Sequence, residues 1–176
     1  VTGEEGMGNL CLYHGNLSVA ENEEAAIWLL QNVFNKIRKP FVIAGKNPSK
    51  RLQKMAHVYQ HTCLVANPTD GELNDLIRKA HIKLLPSFNK NTTGIKLKLL
   101  HVLFEGRHCV VSEPMVKGTG LEAACHTGTT ANAFASIITQ LYHQPFTNEE
   151  LVLRQKLLGD SYDNEKNTLQ LIQYLY

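Results

Sequence analysis

The chain has 176 residues, of which 43% are hydrophobic and 19% charged, as is usual for a globular domain with one core. Its net charge of +2 is too small to predict binding to nucleic acid, and no basic stripe is interleaved with aromatic residues. No apolar run approaches the roughly 20 residues that span a bilayer. No signal-peptide pattern is visible either, and the expected location is the cytoplasm.

Short apolar runs alternate with helical patterns from residue 9 to residue 113. Residues 1–8 are polar and glycine-rich, which predicts a flexible segment ahead of one domain over 9–176. Continuous apolar strands between helices predict a doubly wound parallel α/β sheet whose strands are covered on both faces. The predicted strands are 9–15, 41–45, 62–67, 81–87 and 108–113, and the helices start at Asn22, after Ser49, at Gly71 and at Gly94.

The pattern changes after residue 113. Residues 114–120 predict a loop, followed by an irregular segment with a sixth strand near Cys125 and a helix over 130–143. Thr147 and Glu150 have the spacing of a capping box, which predicts the start of another helix. Residues 159–163 predict a break, and 164–175 predict a last helix. The expected sheet therefore has about six strands.

Cysteine and histidine spacing gives no sign of a metal. Cys11, Cys63 and Cys109 lie in apolar runs, which predicts buried, reduced side chains in a reducing compartment. No CxxC pair occurs, and the eight histidines show neither HxH nor HExxH spacing. Neither a GxSxG elbow nor a local Cys/His pair is present, so no self-sufficient catalytic centre is predicted.

The region around residue 94 predicts an anion site. Thr92, Thr93 and Gly94 precede an amphipathic helix whose start carries Lys96 and Lys98. Free backbone N–H groups and the helix dipole both favour an anion at such a start. Because ligands of open α/β sheets bind beyond the carboxyl ends of the strands, we expect a phosphate-bearing ligand there.

Two other loops follow strands. Gly15 and Asn16 come after the first strand, where a glycine lets a phosphate approach the backbone, although an ordinary tight turn explains them equally well. Lys46 follows the second strand directly, and a solvated turn lysine is the alternative. Neither GxGxxG nor GxxxxGK[ST] is present, so no dinucleotide fingerprint or P-loop is predicted.

The helix over 94–105 places Gly94, Lys98, His101 and Glu105 on one face. Lys98 could pair with a diphosphate there, and His101 could hydrogen-bond a sugar hydroxyl. The alternative is a merely solvated face, which the spacing alone favours.

The order of these motifs resembles a known family. The stretch from Pro86-Ser87 through GIKLKLL to Gly106-Arg107 and VVS is similar to the C-terminal, nucleotide-sugar-binding half of GT-B glycosyltransferases, in particular the family-4-like (group 1) retaining enzymes. The opening LYHGN with its Asn-Glu-led helix, the strand VIAG and the loop VKGTGL fit the same half. The resemblance covers about residues 9–175.

The resemblance implies a site for a nucleotide diphosphate sugar. The base and ribose would lie near Asn67, Pro68, Thr69, Pro86, Ser87 and His101. The diphosphate would meet Gly15, Asn16, Lys46, Thr92, Thr93, Gly94, Ile95, Lys96 and Lys98. No metal or other cofactor is implied, because cationic side chains and the helix dipole stabilise the leaving diphosphate.

The resemblance also implies a longer parent enzyme that transfers a hexose to a glycan or lipid-linked acceptor, as in polysaccharide biosynthesis. Such an enzyme needs an N-terminal acceptor domain, which is expected to be missing here, so the chain alone should be inactive. The full-length protein could associate peripherally with a membrane. The terminal helix over 164–175 would cross to the missing domain or leave an apolar patch that favours a dimer.

The sequence departs from the family at the expected glutamate pair, where Thr93 and His101 stand, and in the first loop, which lacks the family's Arg and Lys. Two alternatives therefore stay open. One is a degenerate, non-catalytic domain with a structural or partner-binding role. The other is a GT-B-like sugar-nucleotide epimerase.

Overall fold

The computed structural model describes residues 1–88 and 93–161, and its centre is one sheet of six parallel strands. The strand order is β3-β2-β1-β4-β5-β6, and every neighbouring pair is parallel. The strands are β1 (Leu10–His14), β2 (Phe41–Gly45), β3 (Thr62–Ala66), β4 (Ala80–Leu85), β5 (His108–Ser112) and β6 (His126–Gly128). The predicted Rossmann-like sheet of about six strands is confirmed.

Helices connect the strands and cover the sheet. They are α1 (Ala20–Asn32), α2 (Lys50–Val58), α3 (Asp70–Lys79), α4 (Thr93–Glu105), α5 (Glu113–Val116), α6 (Ala131–Leu141) and α7 (Asn148–Ser161), with a short 3-10 helix at Glu122–Ala124. Among the described residues, no helix combines the length and the hydrophobicity needed to cross a bilayer.

The strand order reverses direction between β1 and β4. The chain first adds β2 and β3 on one side of β1, then returns to place β4, β5 and β6 on the other side. The loops after β1 and β4 therefore diverge at this point and leave a crevice at the carboxyl edge of the sheet. Such a switch point is where doubly wound sheets bind their ligands.

The core lies on both faces of the sheet. Alternate residues of a strand point to opposite faces, so Cys11 and Tyr13 pack with α1, α2 and α6, whereas Leu12 packs with α3. Helices α4, α5 and α7 form a further apolar cluster with the ends of β4 and β5. Fixed apolar faces on both sides of β1 and β4 hold their carboxyl ends in place.

The strand β3 is an exception to the prediction that both faces of every strand are covered. It forms one edge of the sheet, and its residues are half-buried or exposed. The prediction of a buried Cys63 was wrong, because this side chain lies on the exposed side of the edge strand. Cys11 and Cys109, in central strands, are fully buried as predicted.

Some boundaries differ from the sequence prediction. The helix α1 begins at Ala20, two residues before Asn22. Residues 113–116 form the helix α5 rather than a loop, since Pro114 is compatible with the first turn of a helix. The helix α7 continues through Gly159 to Ser161, because one glycine costs a helix only about 1 kcal/mol. The predicted last helix over 164–175 lies outside the described residues.

The predicted caps are confirmed. The Ser49 hydroxyl accepts a hydrogen bond from Leu52 N at 3.0 Å and caps α2. Thr147 and Glu150 form the capping box of α7, in which Thr147 N donates to the Glu150 carboxylate at 2.8 Å. These bonds satisfy N–H groups that have no partner within the helix.

The helix α7 is joined to α4 by one buried arginine. Arg154 is only 2% exposed, and its guanidinium donates to the backbone carbonyls of Leu103, Gly106 and Arg107. These carbonyls lie at the end of α4, where helix carbonyls have no partner in the next turn. The guanidinium Cζ also lies over the Phe146 ring, 4.4 Å from its centre.

The segment 1–8 makes backbone hydrogen bonds along the domain. Thr2 N and Gly3 N donate to Phe104 O, and Gly6 pairs with Phe146. Gly8 N donates to His81 Nδ1 at 3.0 Å. Composition alone did not indicate these contacts, and the flexibility of the segment stays a prediction.

Candidate functional site

The loops after β1, β2 and β3 are hydrogen-bonded to one another along the carboxyl edge. Leu17 N donates to Lys46 O at 2.9 Å, and Asn67 N donates to Gly45 O at 2.9 Å. Asn47 N donates to Asn67 Oδ1 at 2.9 Å. Asn47 and Asn67 both have positive φ values, which asparagine tolerates better than most residues. Three of the predicted loops thus form one continuous rim, on which the Lys46 side chain is exposed.

The end of β2 lies unusually close to the end of β1. A Cβ atom added at Gly45 would lie 1.8 Å from Gly15 O and 2.9 Å from Leu17 Cγ. Only glycine permits this approach, because no real Cβ contact is so short. The rim therefore depends on Gly45 for its geometry.

Lys98 reaches the rim from α4, as the sequence predicted that it could. Its Nζ donates to Asn22 Oδ1, and Asn22 Nδ2 donates to Asn16 O at 2.9 Å. A Cβ atom on Gly15 would lie 3.8 Å from Lys98 Nζ. The lysine is half-buried and lies against the first loop at the switch point. The alternative of a merely solvated helix face is therefore wrong for Lys98.

Burial lowers the pKa of Lys98, and the nearby Glu21 raises it in part. Desolvation disfavours the ammonium, so this cation lacks part of the stabilisation that it has in water. An anion bound beside Gly15 would restore that stabilisation. The arrangement can therefore accept a phosphate group next to the backbone of the first loop.

Asn16 shapes the first loop through its own side chain. Its Oδ1 accepts hydrogen bonds from Ser18 N at 3.0 Å and from the Ser18 hydroxyl at 2.6 Å. Such local bonds fix a turn and leave the side-chain amide N–H₂ group as the remaining donor. Asn16 thus holds the turn and could still donate to a ligand.

His101 lies inward, beneath the rim. It is 7% exposed, and its ring meets that of His14 edge-on at 5.5 Å between centroids. His101 Nε2 is 3.0 Å from Glu105 Oε2. Burial lowers the pKa of His101, and the hydrogen bond from His101 lowers the pKa of Glu105. Both directions fit a neutral imidazole that donates to a carboxylate.

Lys83 is buried below the same cluster. It is 1% exposed, and among the described residues its Nζ has no hydrogen-bond partner. Burial lowers its pKa to about 7, while Glu105 raises it in part. With His14, His101 and Glu105 it forms a buried polar layer between the sheet and α4. Glu105 is the one partly exposed member of these four, and it lies at the end of α4 away from the rim, so we assign the layer to the interior of the domain rather than to ligand binding.

The other residues that were predicted to bind the base and the ribose lie along the carboxyl edge of the sheet. The Thr69 hydroxyl is engaged as the cap of α3, where it accepts from Glu72 N at 3.1 Å, and Pro68 precedes it. Pro86 is buried, and Ser87 N donates to the Ser112 hydroxyl at 3.0 Å. These candidates therefore belong to two separate loops, one after β3 and one after β4.

Part of the predicted anion site lies outside the described residues. This is true of Thr92, of the side chains of Thr93, Ile95 and Lys96, and of the burial of Gly94. The backbone of α4 begins at Thr93, so a helix N-terminus does follow the loop after β4. The predicted helix start is confirmed, and the roles of its side chains stay predictions.

Sequence reasoning missed Asn22, which links Lys98 to the first loop, and also His14 and Lys83. Asn22 was interpreted only as a helix start. His14 is the last residue of β1 and so stands at the carboxyl edge, where a polar residue could have been noticed. Lys83 is a single charge inside the apolar run HIKLL, which is a signal for a buried cation.

Comparison with family models and with curated proteins gave no match. Solved structures do match. One is an α,α-trehalose-phosphate synthase (UDP-forming) from Burkholderia xenovorans in complex with glucose-6-phosphate, with a TM-score of 0.61, 11% identity, and coverage of 89% of this chain and 40% of that chain. The chain has the fold of one half of a GT-B glycosyltransferase.

Two further solved structures match the fold of this chain. A trehalose-6-phosphate protein from E. coli bound with UDP-2-fluoro glucose has a TM-score of 0.55 at 12% identity, over 96% of this chain and 44% of that one. The N-terminal domain of a Candida albicans trehalose-6-phosphate phosphatase has a TM-score of 0.57 at 13% identity, over 89% of this chain and 38% of that one. The chain thus spans less than half of each neighbour. These likenesses support a GT-B fold and do not single out the family-4-like enzymes.

Proposed function

We propose that this chain is the donor-binding half of a glycosyltransferase and holds the diphosphate of a nucleotide sugar beside Gly15 and Lys98. One observation carries the proposal. A half-buried lysine lies against a glycine loop at the switch point of the sheet, within 3.8 Å of where a Cβ of Gly15 would be. Such a crevice is the usual ligand site of this class of sheet.

The chemistry of the rim suits an anion. Lys98 is partly desolvated, and a diphosphate would replace the lost hydration of its ammonium with a charge-assisted hydrogen bond. The N-terminus of α4 opens at the same edge and adds free N–H donors. Together these groups would stabilise the charge that develops on a leaving diphosphate, without a metal ion at this site.

The rest of the reaction follows from the resemblance. Asn67, Thr69 and Ser87 would face the base and ribose, and a second domain would hold the acceptor. The parent enzyme would transfer a hexose from the nucleotide sugar to a glycan or lipid-linked acceptor. Because one of the similar structures is a UDP-forming synthase and another is bound with UDP-2-fluoro glucose, a uridine nucleotide is the first donor to test.

The Lys98→Met variant tests the proposal by titration calorimetry with UDP, GDP and their hexose conjugates. We expect one saturable site for one of the two nucleotides and at least about tenfold weaker binding by the variant, since a hydrogen bond to a charged group contributes about 1.5–3 kcal/mol. The matched control is Lys54→Met, an exposed lysine of α2, which should bind as the wild type does. Addition of a chelator should change neither result.

Two results would contradict the donor site. One is the absence of heat with every nucleotide when the protein is folded by circular dichroism. The other is equal binding by the Lys98→Met and wild-type proteins.

A degenerate domain that only supports assembly is the second candidate, and one observation favours it. His101 is buried, bonded to Glu105 and packed on His14, so its ring is not offered to a ribose hydroxyl in this conformation. A donor would need other residues to hold its ribose. The absence of nucleotide binding, with Lys98→Met and Lys54→Met indistinguishable, would favour this candidate.

A further inference from the structure

Three side chains that can bind a metal meet at the amino edge of the sheet, opposite the proposed donor site. His108 is the first residue of β5, His126 is the first residue of β6, and Glu150 lies in the first turn of α7. One ligand atom from each lies within 4.8 Å of the others. We call this group the amino-edge cluster. It lines a cavity of about 80 Å³ that Phe146 and Arg154 also border.

The hydrogen bonds of His108 leave the lone pair of its Nδ1 atom available to a metal ion, on the side of the ring that faces Glu150. His108 Nε2 lies 2.9 Å from Gln144 O, and a carbonyl can only accept, so Nε2 carries the hydrogen in the neutral ring. Nδ1 is buried, and among residues 1–88 and 93–161 it has no hydrogen-bond partner. Metal-binding histidines commonly donate their other N–H to a backbone carbonyl in this way.

Glu150 faces that nitrogen with a second acceptor. Its Oε1 is 3.8 Å from His108 Nδ1. Its Oε2 accepts from Thr147 N at 2.8 Å and from the Thr147 hydroxyl at 3.2 Å, which fixes the carboxylate. The His108 nitrogen is buried and the Glu150 carboxylate is half-buried, and two such acceptors that face each other repel unless a proton, a cation or a water molecule lies between them.

The neighbouring His81 holds the ring of His108 but does not compete for a metal. Its Nδ1 accepts from Gly8 N at 3.0 Å, and its Nε2 lies 2.8 Å from Leu141 O. Both nitrogens are therefore engaged. The two rings meet edge-on at 4.9 Å between centroids, which fixes the orientation of His108.

We propose that the amino-edge cluster binds one Zn²⁺ ion through His108 Nδ1, an imidazole nitrogen of His126 and Glu150 Oε1. Two imidazoles and one carboxylate form a common zinc ligand set that leaves a fourth position open. With metal–ligand bonds of about 2.0–2.1 Å, tetrahedral ligand atoms lie roughly 3.3 Å apart. The 3.8 Å between His108 and Glu150 requires only a small closure. Glu150 stays anchored to Thr147 through Oε2, and the half-buried side chain of His126 would supply most of the closure from the present spread of up to 4.8 Å.

The fourth position would face the cavity, where a water molecule fits. The ion would join β5, β6 and α7, and its role would be structural. It would lie at the edge of the sheet away from Gly15 and Lys98, so it does not depend on the proposed function.

The positive charge of Arg154 disfavours a Zn²⁺ ion in the amino-edge cluster. Its guanidinium borders the cavity, and its positive charge opposes a second cation. The guanidinium is turned toward the carbonyls at the end of α4 and toward the Phe146 ring, which keeps it engaged. We therefore expect weaker zinc affinity than in closed four-ligand sites.

The test is metal binding by the whole chain after removal of metals with a chelator. Zn²⁺ is titrated by calorimetry and Co²⁺ by its visible absorption bands. We expect one ion per chain and an increase in the melting temperature with Zn²⁺. His126→Ala and Glu150→Gln should each weaken binding at least about tenfold. Glutamine retains the capping box, so Glu150→Gln should remain folded.

The matched control is His57→Ala, which removes an exposed histidine of α2 and should bind zinc as the wild type does. The proposal is overturned if the folded wild type shows no saturable one-to-one binding, as expected if only water occupies the cavity. Unchanged binding in both His126→Ala and Glu150→Gln, or an equal loss in His57→Ala, would overturn it as well.

Discussion

Replacement of Lys83 by methionine is expected to stabilise the protein by about 2–4 kcal/mol at pH 7. Lys83 is buried in β4, and its pKa is lowered from 10.5 to about 7, which corresponds to an unfavourable free energy of roughly 4 kcal/mol at that pH. Methionine has a similar length and no charge to desolvate. We therefore expect the variant to unfold at a higher urea concentration.

The gain should depend on pH in a defined direction. Because the folded-state pKa of Lys83 lies below its unfolded-state value, the unfolded chain binds more protons between about pH 7 and pH 10.5. The wild type is therefore stabilised as pH rises through that window. Below the window, the full unfavourable free energy of burying the Lys83 charge is present. The advantage of Lys83→Met should shrink by about 2 kcal/mol between pH 7 and pH 9.

Urea unfolding at both pH values, followed by circular dichroism, measures this difference. The groups whose charges act on Lys83 are His14, His101, Glu105, Cys109 and Arg154. These groups are present in both proteins, so their own contributions to the pH dependence of the unfolding free energy largely cancel between the wild type and the variant. Lys79→Met, at an exposed lysine of α3, is the control and should change stability little. A Lys83→Met advantage that is absent, or that stays constant from pH 7 to pH 9, would refute the expectation.

Replacement of Gly45 by alanine is expected to destabilise the domain by about 3 kcal/mol or more. The new methyl group would lie 1.8 Å from Gly15 O, which is backbone and cannot rotate away. The ends of β1 and β2 would have to separate, and the hydrogen bond from Gly15 N to Ala44 O at 3.1 Å would be strained. Overpacking in a fixed site commonly costs 1–3 kcal/mol, and backbone displacement adds to it.

Thermal unfolding measures this loss, which should lower the melting temperature by about 10 °C for a chain of this size. Gly71→Ala is the matched control. There the nearest heavy atom to an added Cβ is Thr69 Oγ1 at 4.0 Å, and alanine favours the helix more than glycine does. It should be neutral or stabilising by up to about 1 kcal/mol. Equal melting temperatures for Gly45→Ala and the wild type would show that the strand ends can separate freely.

The order of strands and helices was predictable because local signals and burial agree along most of the chain. The apolar run Phe41–Gly45 and the caps at Ser49 and Thr147 are in the structure as predicted. The exposure of Cys63 was not predictable, since a run such as TCLVA does not reveal which strand lies at the edge. Strand order is set by long-range packing, which a local pattern does not contain.

The candidate site was predictable only in part. The loop positions follow from the rule that ligands bind at carboxyl ends, and Lys98 does lie against the first loop. Spacing alone could not show that the face with His101 turns inward, because a helical face is defined relative to its neighbours. The amino-edge cluster was hidden for a related reason. His108, His126 and Glu150 are distant along the chain, and only the strand pairing and α7 bring them together.

The buried guanidinium of Arg154 limits how far the domain can be truncated from its C-terminal side. A chain shortened to end before α7 would leave the carbonyls of Leu103, Gly106 and Arg107 without the donor that they now share. The same cut would also expose to water the apolar cluster of α4 and α5 against which Leu158 packs. The minimal independently folding unit must therefore extend through α7, although the six strands of the sheet are complete by Gly128.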